Sequence, residues 1–409
     1  MTETELLFNP LEPGFAEDPY PAYRRLRETD PVHESPFAIW LLSRYDDVAA
    51  LMRSHLSVDP RNVTTPQFVE EYNRRDRRAR ELSMLDRDPP DHTRLRSLVT
   101  KVFTPRSIAA LEPMISGLVD SALDEIAEAG QADLVGALAF PLPFEVISRM
   151  LGMPPTDTAR TRELSGAIVR SLDVVTDPDV QRAIAEAADE LHAITADVIA
   201  WKREHPADDL LTALIAAENQ GEKLTDEELI VQVELLFIAG HETTVNLIAG
   251  GVLALLDNPG QLAMLRENPG LSGNAVEELL RYVSPVQLSR RITIEPLTVR
   301  GREIPSGTFV VAVLASANRD DRYWGPDADQ LKLTRENARQ HVSFGGGPHH
   351  CLGASLARLE ARLAIERLVQ RFPALALDGA VTGGPGQSSA VQWNGRINLR
   401  GPARLPVKI

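Results

Sequence analysis

Phe344-Gly345-Gly346-Gly347-Pro348-His349-His350-Cys351-Leu352-Gly353-Ala354 carries the only cysteine among 409 residues. Three glycines and a proline ahead of Cys351 require a tight turn or a close pass by something flat. Leu352, Leu356, Leu359, Leu363 and Leu368 follow on roughly one helical face, so Cys351 stands at or just before a helix N-terminus. Unpaired amides and the positive end of the helix dipole favour a thiolate there. A thiolate is a strong, soft metal ligand. The plain alternative is a buried cysteine that only packs, and the spacing of Phe344, His349 and Cys351 argues against it. Zinc needs about four ligands, and His349-His350-Cys351 has no partner cluster elsewhere. A phosphate loop needs Gly-Lys-Ser/Thr, which is absent.

Phe-Gly-x-Gly-x-His-x-Cys-x-Gly is the haem-binding signature of the cytochrome P-450 monooxygenases. Phe344, Gly345, Gly347, His349, Cys351 and Gly353 match each fixed position, and the chain resembles that family. The resemblance implies that Cys351 is the thiolate ligand of a haem iron (heme b, iron protoporphyrin IX), the ligation that favours O–O cleavage. It further implies that Phe344, Gly345 and His349 shape the cofactor site.

No Gly/Ser linker, low-complexity tract or internal repeat divides the chain, so one α-rich unit spanning 1–409 is expected. A formal net charge of −15 argues against nucleic acid as a partner. A single cysteine rules out an internal disulfide and fits a reducing cytoplasm. Met1-Thr2-Glu3-Thr4-Glu5 lacks the basic start and apolar core of a signal peptide. With no anchor helix ahead of the motifs, the resemblance is to soluble bacterial members, and a cytoplasmic monomer is expected.

In chain order, Asp18-Pro19-Tyr20-Pro21 opens a helix through about Arg27, Ala38 to Leu42 reads as a strand and Tyr45 to Arg53 as a helix. Residues 54–90 are irregular and polar, with a basic run at 73–80 that reads as a solvated face. By resemblance this segment closes over the substrate, with Met84 and Leu85 as candidate contacts. His92 and Arg96, four apart, share a helix face. The resemblance assigns both to a haem propionate. It also places a helical lid around residues 158–202.

Thr225-Asp226-Glu227-Glu228 is a capping box that starts an apolar stretch from Leu229 to Leu256. A membrane span is excluded by Gln232, Glu234, His241, Glu242 and Asn246. A metalloprotease helix is excluded because Val245 stands where a second histidine would be. Ala239-Gly240-His241-Glu242-Thr243-Thr244 matches the family's oxygen-activation motif. Gly240 is read as leaving room for dioxygen, Thr243 and Glu242 as the proton-handling pair, and Ala239 as a substrate contact. A helical Thr that only back-bonds to a carbonyl is the plainer alternative for Thr243.

Glu278-Leu279-Leu280-Arg281 matches the family's structural Glu-x-x-Arg pair, with Arg319, Arg335 and Gln330 as candidates near its third position. Arg291 has the spacing of a propionate-binding arginine and Arg290 is its rival, since neighbours on a strand face opposite ways. Val286, Gln287 and Leu288 are candidate substrate contacts, Gln287 being the polar one. Val391 to Leu399 reads as strand, with Leu399 at the pocket edge.

The expected fold is mainly α with small β-sheets, the cytochrome P-450 fold, with haem between the Gly240 helix and the Cys351 loop. The expected reaction inserts one atom of O2 into a small organic substrate, a product of secondary metabolism. NAD(P)H electrons would arrive through a separate ferredoxin and ferredoxin reductase, with Arg96, Lys101, Arg358 and Arg362 as candidate docking cations. The alternatives are a haem-binding sensor or carrier, or a peroxide-driven haem enzyme. Neither needs the Glu242-Thr243 pair.

Overall fold

The computed structural model describes residues 8–66, 68–69, 83–100, 103–154, 157–173, 175, 177–219, 222–378 and 391–409. The basic run at 73–80 and Lys101 lie outside the described residues.

The longest element forms where the sequence is most continuously apolar. Thr225 Oγ1 accepts from the Glu228 amide at 3.2 Å, and Glu228 Oε2 accepts from the Thr225 amide at 2.9 Å. This closed box starts the central helix Asp226–Leu256, which the sequence expected. The helix is long and apolar enough to cross a bilayer by composition, yet 67% of its most apolar window is buried inside the protein. An apolar helix of this kind is a core element when other helices cover it all round.

The covering helices include Glu112–Ala129, Pro141–Leu151, Pro178–Glu204, Ser272–Val283 and Ala354–Arg371. Their apolar stripes, among them Ile115, Val119, Ile126, Ile147, Leu279, Ile365 and Leu368, join Ile248, Val252 and Leu255 in one main core cluster. Each fully buried Leu or Ile contributes ~1.5–3 kcal/mol. Gly250 lets Ser272–Val283 cross closely, since a Cβ there would stand 2.7 Å from Val283 Cγ1.

A four-stranded sheet flanks the helices in the order Val32–Glu34, Trp40–Leu42, Phe309–Val313, Leu288–Ile292. Its middle pair is parallel and its outer pairs antiparallel. Two expected strands come out shorter. The first starts at Trp40 because Ala38 sits at φ 55°, in a turn. The last is only Gln392–Trp393, and the chain then turns at Gly395. The observed class is mainly α with small sheets.

Under this core, Arg281 Nε and Nη2 each donate to Glu278 at 2.7 Å, with both residues fully buried. Arg281 Nη1 also reaches the carbonyls of Asn318 and Ala328. Arg335 is the third member, donating to Glu278 Oε1 at 3.1 Å. Arg319 lies instead over the ring of Tyr20. Gln330 contributes only its backbone carbonyl.

Candidate functional site

The glycine run folds into a closed loop. The Cys351 amide donates to Phe344 O at 2.9 Å, and the Gly345 amide to Val342 O at 2.9 Å. Gly345 and Gly347 have φ of 67° and 62°, a region costly for residues with a Cβ. Gly347 is needed for a second reason, because a Cβ there would stand 2.8 Å from Met52 O. Helix Ala354–Arg371 begins three residues after Cys351, as the leucine spacing indicated. The thiol is accessible and yet deep within the protein, so it opens onto an internal cleft. Burial pushes its pKa up, while the Gly353 amide, Arg96 and Arg358 pull it down.

Four basic side chains from three distant segments meet beside this loop. The rings of His92 and His349 lie 4.1 Å apart, and Arg96 Nη2 donates to His350 O at 2.6 Å. His349 is pushed down to about 3 by burial first, then by His92, Arg291 and Arg96. Burial pushes Arg291 down to about 10, with Asp88 opposing. Asp88 itself is engaged by the Val58 amide and Asn62. Among the described residues neither Arg96 nor Arg291 makes an ion pair, and buried His92 Nε2 has no partner. Two guanidiniums without an ion pair among the described residues, beside two imidazoles, form a site for an anion. The strand alternation settles the two arginines: Arg290 pairs with Asp86 at 2.7 Å and is 40% exposed, whereas Arg291 is buried.

On the central helix, Ala239, Gly240 and Thr243 remain accessible within a mostly buried element. Thr243 Oγ1 donates to Ala239 O at 3.2 Å, so the back-bond is present and the hydroxyl lone pairs stay free. Gly240 also serves the crossing with Pro141–Leu151, since a Cβ there would stand 3.1 Å from Ile147 Cγ1. Glu242 faces away from the cleft. Its Oε2 accepts from Arg396 Nη1 at 2.9 Å and its Oε1 from Ser165 Oγ at 3.2 Å. Burial alone would raise its pKa, but His241 and Arg396 outweigh it and hold the carboxyl at about 2.

The candidate substrate contacts divide. Leu85 is 51% exposed on the turn Met84–Asp86, while Met84 is buried, its amide bonded to Gln232 Oε1 at 3.0 Å. Val286 and Leu399 form a bridge pair, with Leu399 buried. Leu288 packs on the N-terminal cluster around Phe8 and Tyr23. Gln287 is fully buried, and its amide donates to the carbonyls of Ser284 and Val283. It therefore braces the chain's turn into the sheet and faces no open space, contrary to the reading of a substrate-orienting amide. Sequence reasoning did not find Arg396, Ser165 or Gln232, because no local pattern links residues so far apart.

The proximal candidates are tied down within the protein. Arg358 donates to Glu277 at 2.8 Å and stacks over Phe344, and Arg362 pairs with Glu112 at 2.8 Å.

The family described as Cytochrome P450 matches residues 167–269 and 271–380. The relative named cytochrome P450 monooxygenase PikC, from Streptomyces venezuelae, is 41% identical over 407 residues, covering 97% of this chain and 92% of that protein. A vitamin D(3) 25-hydroxylase from Pseudonocardia autotrophica is 42% identical over 400 residues, covering 96% and 94%. The solved structure of the Bacillus subtilis bacillaene polyketide synthase cytochrome P450 PksS superposes with a TM-score of 0.86 at 37% identity, covering 98% and 99%. With the family model matching more than half of the chain and relatives at about 40% identity over nearly its full length, the chain belongs to the cytochrome P450 family of haem-dependent monooxygenases.

Proposed function

We propose that the cleft binds haem with Cys351 as the iron ligand, and that the chain oxidises an apolar natural-product intermediate. The observation that carries this reading is the meeting of the lone thiol with two histidines and with two arginines that make no ion pair among the described residues. A flat, dianionic macrocycle satisfies both. His92, Arg96, Arg291 and His349 take its carboxylates, and Phe344 and Gly345 shape the loop beneath it. When bound, haem supplies the activation of dioxygen and the transfer of one oxygen atom to a C–H or C=C bond.

The protein's own residues arrange that chemistry. In this reading the accessible face at Ala239, Gly240 and Thr243 forms the other wall of the cleft. The free lone pairs of Thr243 hold a water there, and Glu242 stands one residue away as the route for protons toward solvent. Leu85 and the half-buried Val286 offer apolar surface to a substrate. The relatives' names, a polyketide-pathway P450 and a vitamin D hydroxylase, support a bulky, largely hydrocarbon substrate. Electrons from NAD(P)H arrive through a ferredoxin and its reductase in the cytoplasm, and the chain works as a monomeric single unit.

The test is spectroscopic. The reduced CO complex of the purified protein should show the red-shifted Soret band of a thiolate ligand. Cys351→His should retain haem and lose that band. A mutant that keeps it would place the ligand elsewhere. Spin-state shifts across a library of apolar natural products would then identify the substrate.

A further inference from the structure

The acid on the central helix is bonded to an element that no motif connects to it. Ser165 is fully buried on the helix Thr158–Ile168, and its hydroxyl lies 3.1 Å from His241 Nε2 and 3.2 Å from Glu242 Oε1. Arg396 comes from the C-terminal turn. One arm of its guanidinium donates to Glu242 Oε2 at 2.9 Å and the other to Gly166 O at 3.2 Å. A planar fork can span two acceptors in this way, which an ammonium cannot do in the same fixed geometry. Just beyond the helix, the Asn398 amide donates to Asp173 Oδ1 at 2.8 Å. The end of this helix is thus fastened at several points to the acid and to the C-terminal turn.

Its apolar side is packed as well: Leu164, Ala167 and Ile168 meet Ala187, Leu191, Ile194 and Ile238 in a small cluster beside the main core. That packing holds the helix to its neighbours, and the polar bonds are what tie it to the acid itself.

We propose that Ser165 and Arg396 are positioning residues that fasten the helix Thr158–Ile168 to Glu242, so that the setting of the acid beside Thr243 follows the position of that helix. The proposal rests on the monooxygenase reading of Glu242 and Thr243. When the helix lifts, Ser165 and Gly166 O leave together. Arg396 then keeps one acceptor in place of two, and Glu242 gains freedom to turn and to meet water. With the helix down, the carboxylate accepts from Ser165 and Arg396 together. The coupling is reciprocal by linkage, so a change at the acid must also loosen the helix.

Hydrogen–deuterium exchange of the haem-loaded protein tests this without turnover. Glu242→Gln and Arg396→Gln should each raise amide exchange in peptides covering 158–173 by about fivefold or more. The double variant should exchange no faster than the faster single, because both changes break one network. Ser165→Ala, a smaller change, should shift the same peptides if Arg396→Gln fails to load haem. Infrared difference spectra give a second readout. Arg396→Gln should shift the carboxylate stretching band of Glu242, a shift the double variant lacks, because that band reports the loss of the guanidinium partner. Wild-type exchange in all single variants, or additive exchange in the double, would overturn the fastening. A wild-type protein without the red-shifted CO band would instead overturn the P450 reading, leaving the exchange result to stand by itself.

Discussion

Arg290 and Arg291 are adjacent on one strand, yet only Arg291 reaches the basic cluster. Strand alternation sends Arg290 to Asp86 at 2.7 Å and Arg291 into the protein beside His349. The two therefore have separable roles. Arg291→Gln should weaken haem retention, because a charge-assisted bond contributes ~1.5–3 kcal/mol, about ten- to a hundredfold in affinity. Arg290→Gln should leave retention within about twofold and affect only the turn that carries Leu85. Haem transfer to an apo-globin acceptor measures both. Equal losses in the two variants would contradict the assignment.

The pair Glu278–Arg281 has no exposed atoms and a full set of acceptors. Removing one partner leaves the other charge buried and alone, at ~3–5 kcal/mol. Glu278→Gln should therefore lower the thermal midpoint by several degrees or prevent folding. Arg335→Met should cost less, because Arg281 keeps both bonds to Glu278. Cutting an exposed pair such as Asp179–Arg182 should cost at most ~1 kcal/mol. Thermal unfolding of the three variants would fail the prediction if their order were reversed.

Glu277 gives a pH-dependent signature. Burial pushes its carboxyl up, but the His341 N–H and Arg358 outweigh that and hold it at about 2. The imidazole is itself pushed down by burial, so it donates as a neutral group and Arg358 supplies the charge. A depressed carboxyl stabilises the fold above its ordinary pKa of about 4.5, and that stabilisation is lost as pH falls toward 2. Glu277→Gln should flatten stability across this window in acid titrations followed by circular dichroism. A variant as steep as the wild type would show that the acid lability arises elsewhere. The same contact bears on electron delivery. Arg358→Glu would set two carboxylates together, so Arg358→Ala is the sounder variant, with slower ferredoxin reduction and unchanged dithionite reduction expected. Equal ferredoxin rates would remove Arg358 from the docking face.

What the sequence made legible was local or repetitive. The glycine–cysteine run, the Thr225–Glu228 box and the long apolar stretch are written within a few residues, and each appears in the structure where its chemistry requires. The choice between Arg290 and Arg291, or between Arg319 and Arg335, depends on partners tens to hundreds of residues away. Gly240 shows a subtler limit: the motif reads it in terms of oxygen, and only the structure adds that a Cβ there would also crowd Ile147 of the neighbouring helix. Gln287 shows the converse: a polar residue among candidate pocket positions turned inward, because the chain's bend into the sheet left carbonyls needing donors.

The last prediction concerns Thr243 and Glu242. The Thr243 hydroxyl gives its hydrogen to Ala239 O, so it acts toward the cleft as an acceptor that orders a water. Thr243→Ala removes that site without touching the haem-binding cluster. Substrate binding and NADPH consumption should stay near wild type while more of the reducing power appears as hydrogen peroxide. Glu242 behaves differently. Bonded to Arg396 and Ser165 and held at about 2, it is ionised across the working range and must leave those partners to carry a proton. Glu242→Gln keeps the shape but loses the charge, so turnover as a whole should slow. Positioned proton transfer contributes ~10²–10⁴-fold, which bounds the loss. Parallel measurement of NADPH consumed, peroxide released and product formed separates the two roles. Unchanged coupling in Thr243→Ala together with unchanged turnover in Glu242→Gln would remove both residues from proton delivery. A hydroxyl on the substrate would then be the better proton source, and substrates lacking one should turn over poorly.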